Sequence, residues 1–124
     1  GTGNDSITAT AGNNSIDAGD GNDTVQGGSE ADVIYGETGN DSIYGGDGHD
    51  TILGGTGTDY IEGGGGNDVI DGGPGTDTCY QGQGAGPQTS CELPAPPPPP
   101  EARTGSLTST RPSRCWAWRP TRSP

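Results

Sequence analysis

Aspartate returns at nine-residue spacing through most of this chain: Asp5, Asp23, Asp32, Asp41, Asp50, Asp59, Asp68 and Asp77, with Asn14 as the single substitute. Two residues after each stands one apolar residue, in order Ile7, Ile16, Val25, Ile34, Ile43, Ile52, Ile61, Ile70 and Cys79. Glycine fills most of the positions just before each aspartate. Each unit reads Gly-Gly-x-Gly-x-Asp-x-U-x with U apolar, as in Gly45-Gly46-Asp47-Gly48-His49-Asp50-Thr51-Ile52-Leu53. So strict a register means one small unit stacked many times. Composition alone points elsewhere: 24% hydrophobic residues, 26 Gly, 11 Pro and no Phe or Met are usual in disordered chains. Disorder has no reason to keep a period.

The last three positions of each unit alternate out, in, out, as a short strand requires. The Gly-rich first six read as a turn in which several residues need positive φ or close backbone approach. One strand and one turn make half a coil, so two units make a coil, and successive coils stack at about 4.8 Å. The aspartates then fall into two ladders. One is Asp5, Asp23, Asp41, Asp59 and Asp77; the other is Asn14, Asp32, Asp50 and Asp68. The pattern predicts an all-β fold, a parallel β-roll (β-solenoid) of stacked nine-residue repeats, with two short sheets facing each other across one layer of Ile.

Charge sharpens the problem. Residues 1 to 92 hold every acidic residue except Glu101 and no Lys or Arg, whereas all five Arg lie in residues 93 to 124. A segment so acidic cannot compact unaided, because neighbouring like charges repel and nothing internal offsets them. Stacked turns also place carboxylates at strand spacing with Gly-loop carbonyls nearby. Hard oxygen ligands without a His or Cys cluster favour Ca²⁺ over transition metals, and over Mg²⁺, which retains its water. One ion per gap between rungs gives about six or seven Ca²⁺, nearly neutralising the segment. An EF-hand reading of Asp47 to Asp59 fails for want of a Glu at the twelfth loop position. His49 has no partner His and reads as an exposed turn residue.

These residues resemble the RTX, or haemolysin-type calcium-binding, nonapeptide repeat, a parallel β-roll of secreted bacterial toxins, proteases, lipases and adhesins. The resemblance covers residues 1 to about 84. It implies that each ion sits between two stacked turns and takes the sixth-position Asp of both. That implicates Asp23, Asp32, Asp41, Asp50, Asp59, Asp68 and Asp77, with Asp5 at the open end. It also implicates backbone carbonyls of Gly45, Gly46, Gly48, Gly54, Gly55, Gly57, Gly63, Gly64, Gly66, Gly72, Gly73 and Gly75. Asn14 brings no charge, so its site with Asp32 is expected to be weaker. Glu30 and Glu37 replace turn glycines and either strain their loops or add a carboxylate, and Ala9, Thr10 and Ala18 weaken the first turns.

Cys79 takes the apolar position of the last clear unit, and Cys91 follows across a turn-rich segment. Two reduced cysteines or a disulfide sealing the end of the Ile layer both fit; Cys-closed ends of RTX-like proteins favour the bridge, which suits an oxidising compartment. The roll is therefore expected over residues 1 to 92. A Pro-rich spacer and a basic tail, expected to be disordered, occupy residues 93 to 124. The chain opens inside a repeat and reads as a piece of a longer protein.

The functional expectation is an extracellular, bacterial-type module whose folding is coupled to calcium, not an enzyme, since no nucleophile–base set recurs. No stretch is long and apolar enough for a membrane span, and no nucleic-acid partner is expected. The alternatives are a non-catalytic module of a secreted protease, lipase or toxin, or a surface adhesin or ice-binding roll. The last is suggested by Thr and Asn on the turns (Thr38/Asn40, Thr56/Thr58) but interrupted by Asp20 and Pro74.

Overall fold

The computed structural model describes residues 1–92. Ten short strands account for its regular structure: β1 Ser6–Thr8, β2 Ser15–Asp20, β3 Thr24–Gly28, β4 Val33–Thr38, β5 Ser42–Asp47, β6 Thr51–Leu53, β7 Tyr60–Gly65, β8 Val69–Asp71, β9 Thr78–Gly82 and β10 Gln88–Thr89. Odd strands form one five-stranded sheet in the order β1-β3-β5-β7-β9, and even strands form the other, β10-β8-β6-β4-β2. All the pairings are parallel, as stacked coils demand. The chain is a β-solenoid with the alternation of sheets that a nine-residue half-coil predicts.

Register follows the repeat. In the odd sheet Ile7, Val25, Ile43, Ile61 and Cys79 stack in line, and in the even sheet Ile16, Ile34, Ile52 and Ile70 do the same. These two files meet as the core. Val25, Ile34, Ile43, Ile52, Ile61, Ile70 and Cys79 are fully buried, and Ile16 nearly so. Ile7 is only half-buried, because β1 ends its sheet. A slip of one residue in any strand would turn its Ile to solvent and its outward polar residue into the seam.

The outward faces differ. On the odd sheet Tyr44, Tyr60 and Tyr80 form a row, with tilted rings 6.0 and 5.7 Å apart. On the even sheet Val33, Tyr35, Leu53 and Val69 share the outer side.

The C-terminal end is closed. Cys79 and Cys91 are joined by a disulfide, with α-carbons 5.7 Å apart. Between them the chain crosses over, so that the Ile70 N–H donates to the Pro87 carbonyl and the Gly72 N–H to the Thr89 carbonyl, 3.0 Å each. This segment supplies the last half-coil without the repeat motif. The spacer and tail expected over residues 93 to 124, with Cys115, Trp116 and Trp118, lie outside the described residues.

Candidate metal centre

The sixth-position carboxylates are placed by the turn-to-strand junction, where each Asp precedes the first outward residue of a strand. All but Asp5 are packed into the stack. Asp23, Asp32, Asp41, Asp50, Asp59, Asp68 and Asp77 are at most 2% exposed, an arrangement that carboxylates rarely tolerate without a counter-charge. Asp5, at the open end, is 42% exposed at its side chain and lies 3.9 Å from the N-terminal amine.

One oxygen of each carboxylate is used by the fold. The N–H of each rung donates to Oδ1 of the rung one coil on: Asp5 to Asp23 at 2.7 Å, and Asp23 to Asp41, Asp41 to Asp59 and Asp59 to Asp77 at 2.8 Å. The second ladder repeats this from Asn14 to Asp32, Asp32 to Asp50 and Asp50 to Asp68. The other oxygen is used by nothing. Oδ2 of all seven buried aspartates is sequestered from solvent and lacks a hydrogen-bond partner. An unmet buried acceptor is costly, and seven in register amount to a single unmet requirement repeated.

Every orphan oxygen but that of Asp23 looks across the first glycine of its own turn toward a backbone carbonyl of the chain stacked on it. At Gly54 a β-carbon would sit 2.6 Å from both Asp59 Oδ2 and the Gly72 carbonyl oxygen. Gly27, Gly36 and Gly45 stand in the same relation to Asp32 and Gly45, Asp41 and Gly54, and Asp50 and Gly63. The oxygens thus converge on a cleft that any side chain would fill. The carbonyls of Gly45, Gly54, Gly63 and Gly72 line these clefts. Those of Gly46, Gly48, Gly55 and Gly57 lie against the α-carbons of Gly64, Gly66, Gly73 and Gly75 in the next coil, and the Gly64 carbonyl accepts the Gln83 N–H. The structure therefore gathers only part of the glycine set that the resemblance implied around the carboxylates. Among the described residues no three His, Cys, Asp or Glu side chains converge, so any site here has two acidic side chains and must be completed by carbonyls. That donor set, all hard oxygen, fits Ca²⁺.

Electrostatics agree. Burial pushes Asp50 and Asp59 up to about 6, against the lowering effect of the N–H groups of Asp32 and Asp41, and neighbouring carboxylates add to the rise. Asp41, Asp68 and Asp77 are also raised, chiefly by burial. A cation in the cleft reverses this preference by favouring the charged form.

The exceptions are instructive. Asn14 places its amide nitrogen 3.1 Å from Asp32 Oδ1 and 3.5 Å from the Gly27 carbonyl. It donates to the kinds of oxygen that surround the clefts elsewhere, so this gap is bridged from within. Ala18 stands where Gly27 and its equivalents stand and carries a buried methyl beside the Asp23 rung. Glu30 and Glu37 adopt positive φ, 70° and 81°, as the glycines they replace would. Neither joins a ladder; Glu30 Oε1 instead accepts the Gly12 N–H at 2.5 Å. His49 is exposed, and its Nδ1 accepts the Asn67 N–H at 2.8 Å, as Asn67 Oδ1 accepts the Ala85 N–H at 2.9 Å; Asn4, Asn22 and Asn40 accept likewise from the next coil in the corresponding row on the other edge.

Two ladder partners escaped the sequence reading. Asp77 N–H donates to Glu92 Oε1 at 2.6 Å, and Asp68 N–H to Gln81 Oε1 at 3.2 Å. Both occupy the next-rung position although neither lies at the repeat spacing, so periodicity had no means of finding them.

A family model described as RTX calcium-binding nonapeptide repeat (4 copies) matches residues 1–34, 17–52, 26–61 and 53–86. No curated protein and no solved structure matches the chain.

Proposed function

Because this chain belongs to the RTX calcium-binding nonapeptide-repeat family, we propose that residues 1 to 92 form an extracellular module that folds only when calcium fills its stacked turns. The family's repeat is a structural, calcium-binding unit and not a catalytic one. The observation that carries the reading is the set of seven buried, unpartnered Oδ2 atoms in register.

One ion belongs in each gap between successive aspartates: Asp41–Asp59 and Asp59–Asp77 on the first ladder, Asp32–Asp50 and Asp50–Asp68 on the second, with Asp23–Asp41 a weaker site because the Ala18 methyl takes the place that glycine leaves open elsewhere. Asp5–Asp23 adds a looser site at the open end, bringing the total to about six. The Asn14–Asp32 gap, where the amide already satisfies the oxygens, contributes little. Calcium would supply the positive charge that the acidic roll lacks. The chain's own residues do the rest: carboxylates bind, first-glycine carbonyls complete the shell, and glycine at that position keeps the cleft open.

RTX repeats are typical of secreted bacterial proteins. Folding coupled to metal would keep this segment extended where calcium is scarce and let it coil where calcium is abundant. As the non-catalytic part of a secreted protease, lipase or toxin, the module would then act as a folding aid set off by export. Circular dichroism with and without Ca²⁺ tests the coupling. At neutral pH, a β spectrum that appears on adding Ca²⁺ and disappears in EDTA is expected; one that persists in EDTA at that pH overturns it.

A further inference from the structure

The last rung of the first ladder has no following repeat, yet it is built like the interior ones. Asp77 is fully buried, and its Oδ2 has no partner. Its N–H donates to Glu92 Oε1 at 2.6 Å, as an interior rung donates to the next Asp, and the Glu92 N–H returns a bond of 2.5 Å to the Asp77 carbonyl. Gly72, the first glycine of this turn, faces both Asp77 Oδ2 and the carbonyl of Ser90. At Gly54 the same roles fall to Asp59 and Gly72. Glu92 therefore stands in for an aspartate and Ser90 for a first glycine, although the repeat has ended.

The residue between them helps to bring them there. Cys91 is bonded to Cys79, which is itself fully buried in the apolar file two residues after Asp77. The disulfide, the β10–β8 pairing that ends at Thr89 and the Glu92 N–H bond to the Asp77 carbonyl together hold Ser90 and Glu92 over Asp77, although no further strand pairs with β9.

Resting on the calcium reading above, we infer that Asp77, the Ser90 carbonyl and Glu92 form one further Ca²⁺ site at the C-terminal end of the roll, and that this site exists only while Cys79–Cys91 is oxidised. The other ladder ends differently. Gln81 offers Asp68 its Oε1 and its backbone carbonyl, so that end has one carboxylate instead of two. Since calcium affinity follows the number of charged ligands, the Asp77–Glu92 site is the stronger of the two ends.

The test is calcium stoichiometry of the full chain by isothermal titration, for wild type, Glu92→Gln, and wild type held in TCEP. Glu92→Gln keeps an acceptor for the Asp77 N–H and removes one charge, and far-UV dichroism in calcium verifies that each sample coils. Loss of one ion per chain, or one site weakened at least about tenfold, is expected both in Glu92→Gln and on reduction. Unchanged titrations for Glu92→Gln overturn the site while leaving the interior sites standing. A loss in Glu92→Gln but none in TCEP overturns the dependence on the disulfide. A wild type that takes up no calcium overturns this site and the calcium reading together.

Discussion

The two ends of the roll carry the same motif and differ in almost everything it is meant to secure. At the N-terminal end Asp5 is 42% exposed at its side chain and Ile7 is half-buried. At the C-terminal end Asp77 and Cys79, in the same two positions of the unit, are completely buried. Each ladder gap needs a coil on both sides, and the apolar seam needs a lid. Within residues 1–92 the first coil has a described neighbour on one side only, whereas the last is covered by a disulfide-held segment that imitates a coil. A repeat thus specifies its interior and leaves its ends to residues outside the pattern.

The sharpest way to break this comparison is in the middle. Asp50 belongs to two gaps of the second ladder, so Asp50→Ala should remove two calcium ions. At free calcium of about 100 times Kd each site contributes about 2.7 kcal/mol, so the loss approaches about 5 kcal/mol. Titration calorimetry with thermal melting measures both, and an unaltered ion count would show that the ladder assignment is wrong.

Acid should reveal the interior without metal. The raised values of Asp50 and Asp59, from 3.8 to about 6, mean that the coiled, metal-free chain holds protons that the unfolded chain has released. Their contribution to the metal-free coil is therefore complete below the unfolded value of 3.8 and fades as pH rises through about 6. In EDTA, dichroism should show β structure growing on acidification through that window, and a flat response would contradict the burial argument.

Smaller effects probe the turns. Glu37 holds positive φ without joining a ladder, so Glu37→Gly should stabilise the calcium-loaded roll by about 1 kcal/mol. A lower melting temperature for this variant would mean that the Glu37 carboxylate contributes to binding after all. The least effect belongs to the open end. Asp5→Asn keeps the shape of an already solvated rung, and melting in saturating calcium should move by no more than about 0.5 kcal/mol. A loss as large as that of Asp50→Ala would erase the distinction between end and interior.

Periodicity made most of the fold legible. Once Ile stands two residues after an Asp every nine residues, strand, turn, parallel pairing and the two separate ladders follow, because each contact is the same contact moved along by one coil. Burial of Ile34, Ile52 and Ile70 in one file and Ile43 and Ile61 in the other is that argument made visible. The aspartates were equally legible as a set. Which of their oxygens is spoken for by a backbone N–H, and which is left for a cation, was not. That depends on how a side chain leans between two coils, and the repeat does not state it.

Sequence by itself therefore determined the unit, its stacking distance, its charge and the class of ion that such a charge requires. Tertiary structure alone decided where the pattern is interrupted: the Asn14 amide bridging its own gap, the Ala18 methyl beside Asp23, and Gln81 and Glu92 closing the ladders off the repeat spacing. The reason is translational. Interior contacts repeat by a fixed step and can be read from a list of residues, but a terminus has no next step. Its partners are fixed by where a crossed-over, covalently tied chain comes to rest in space.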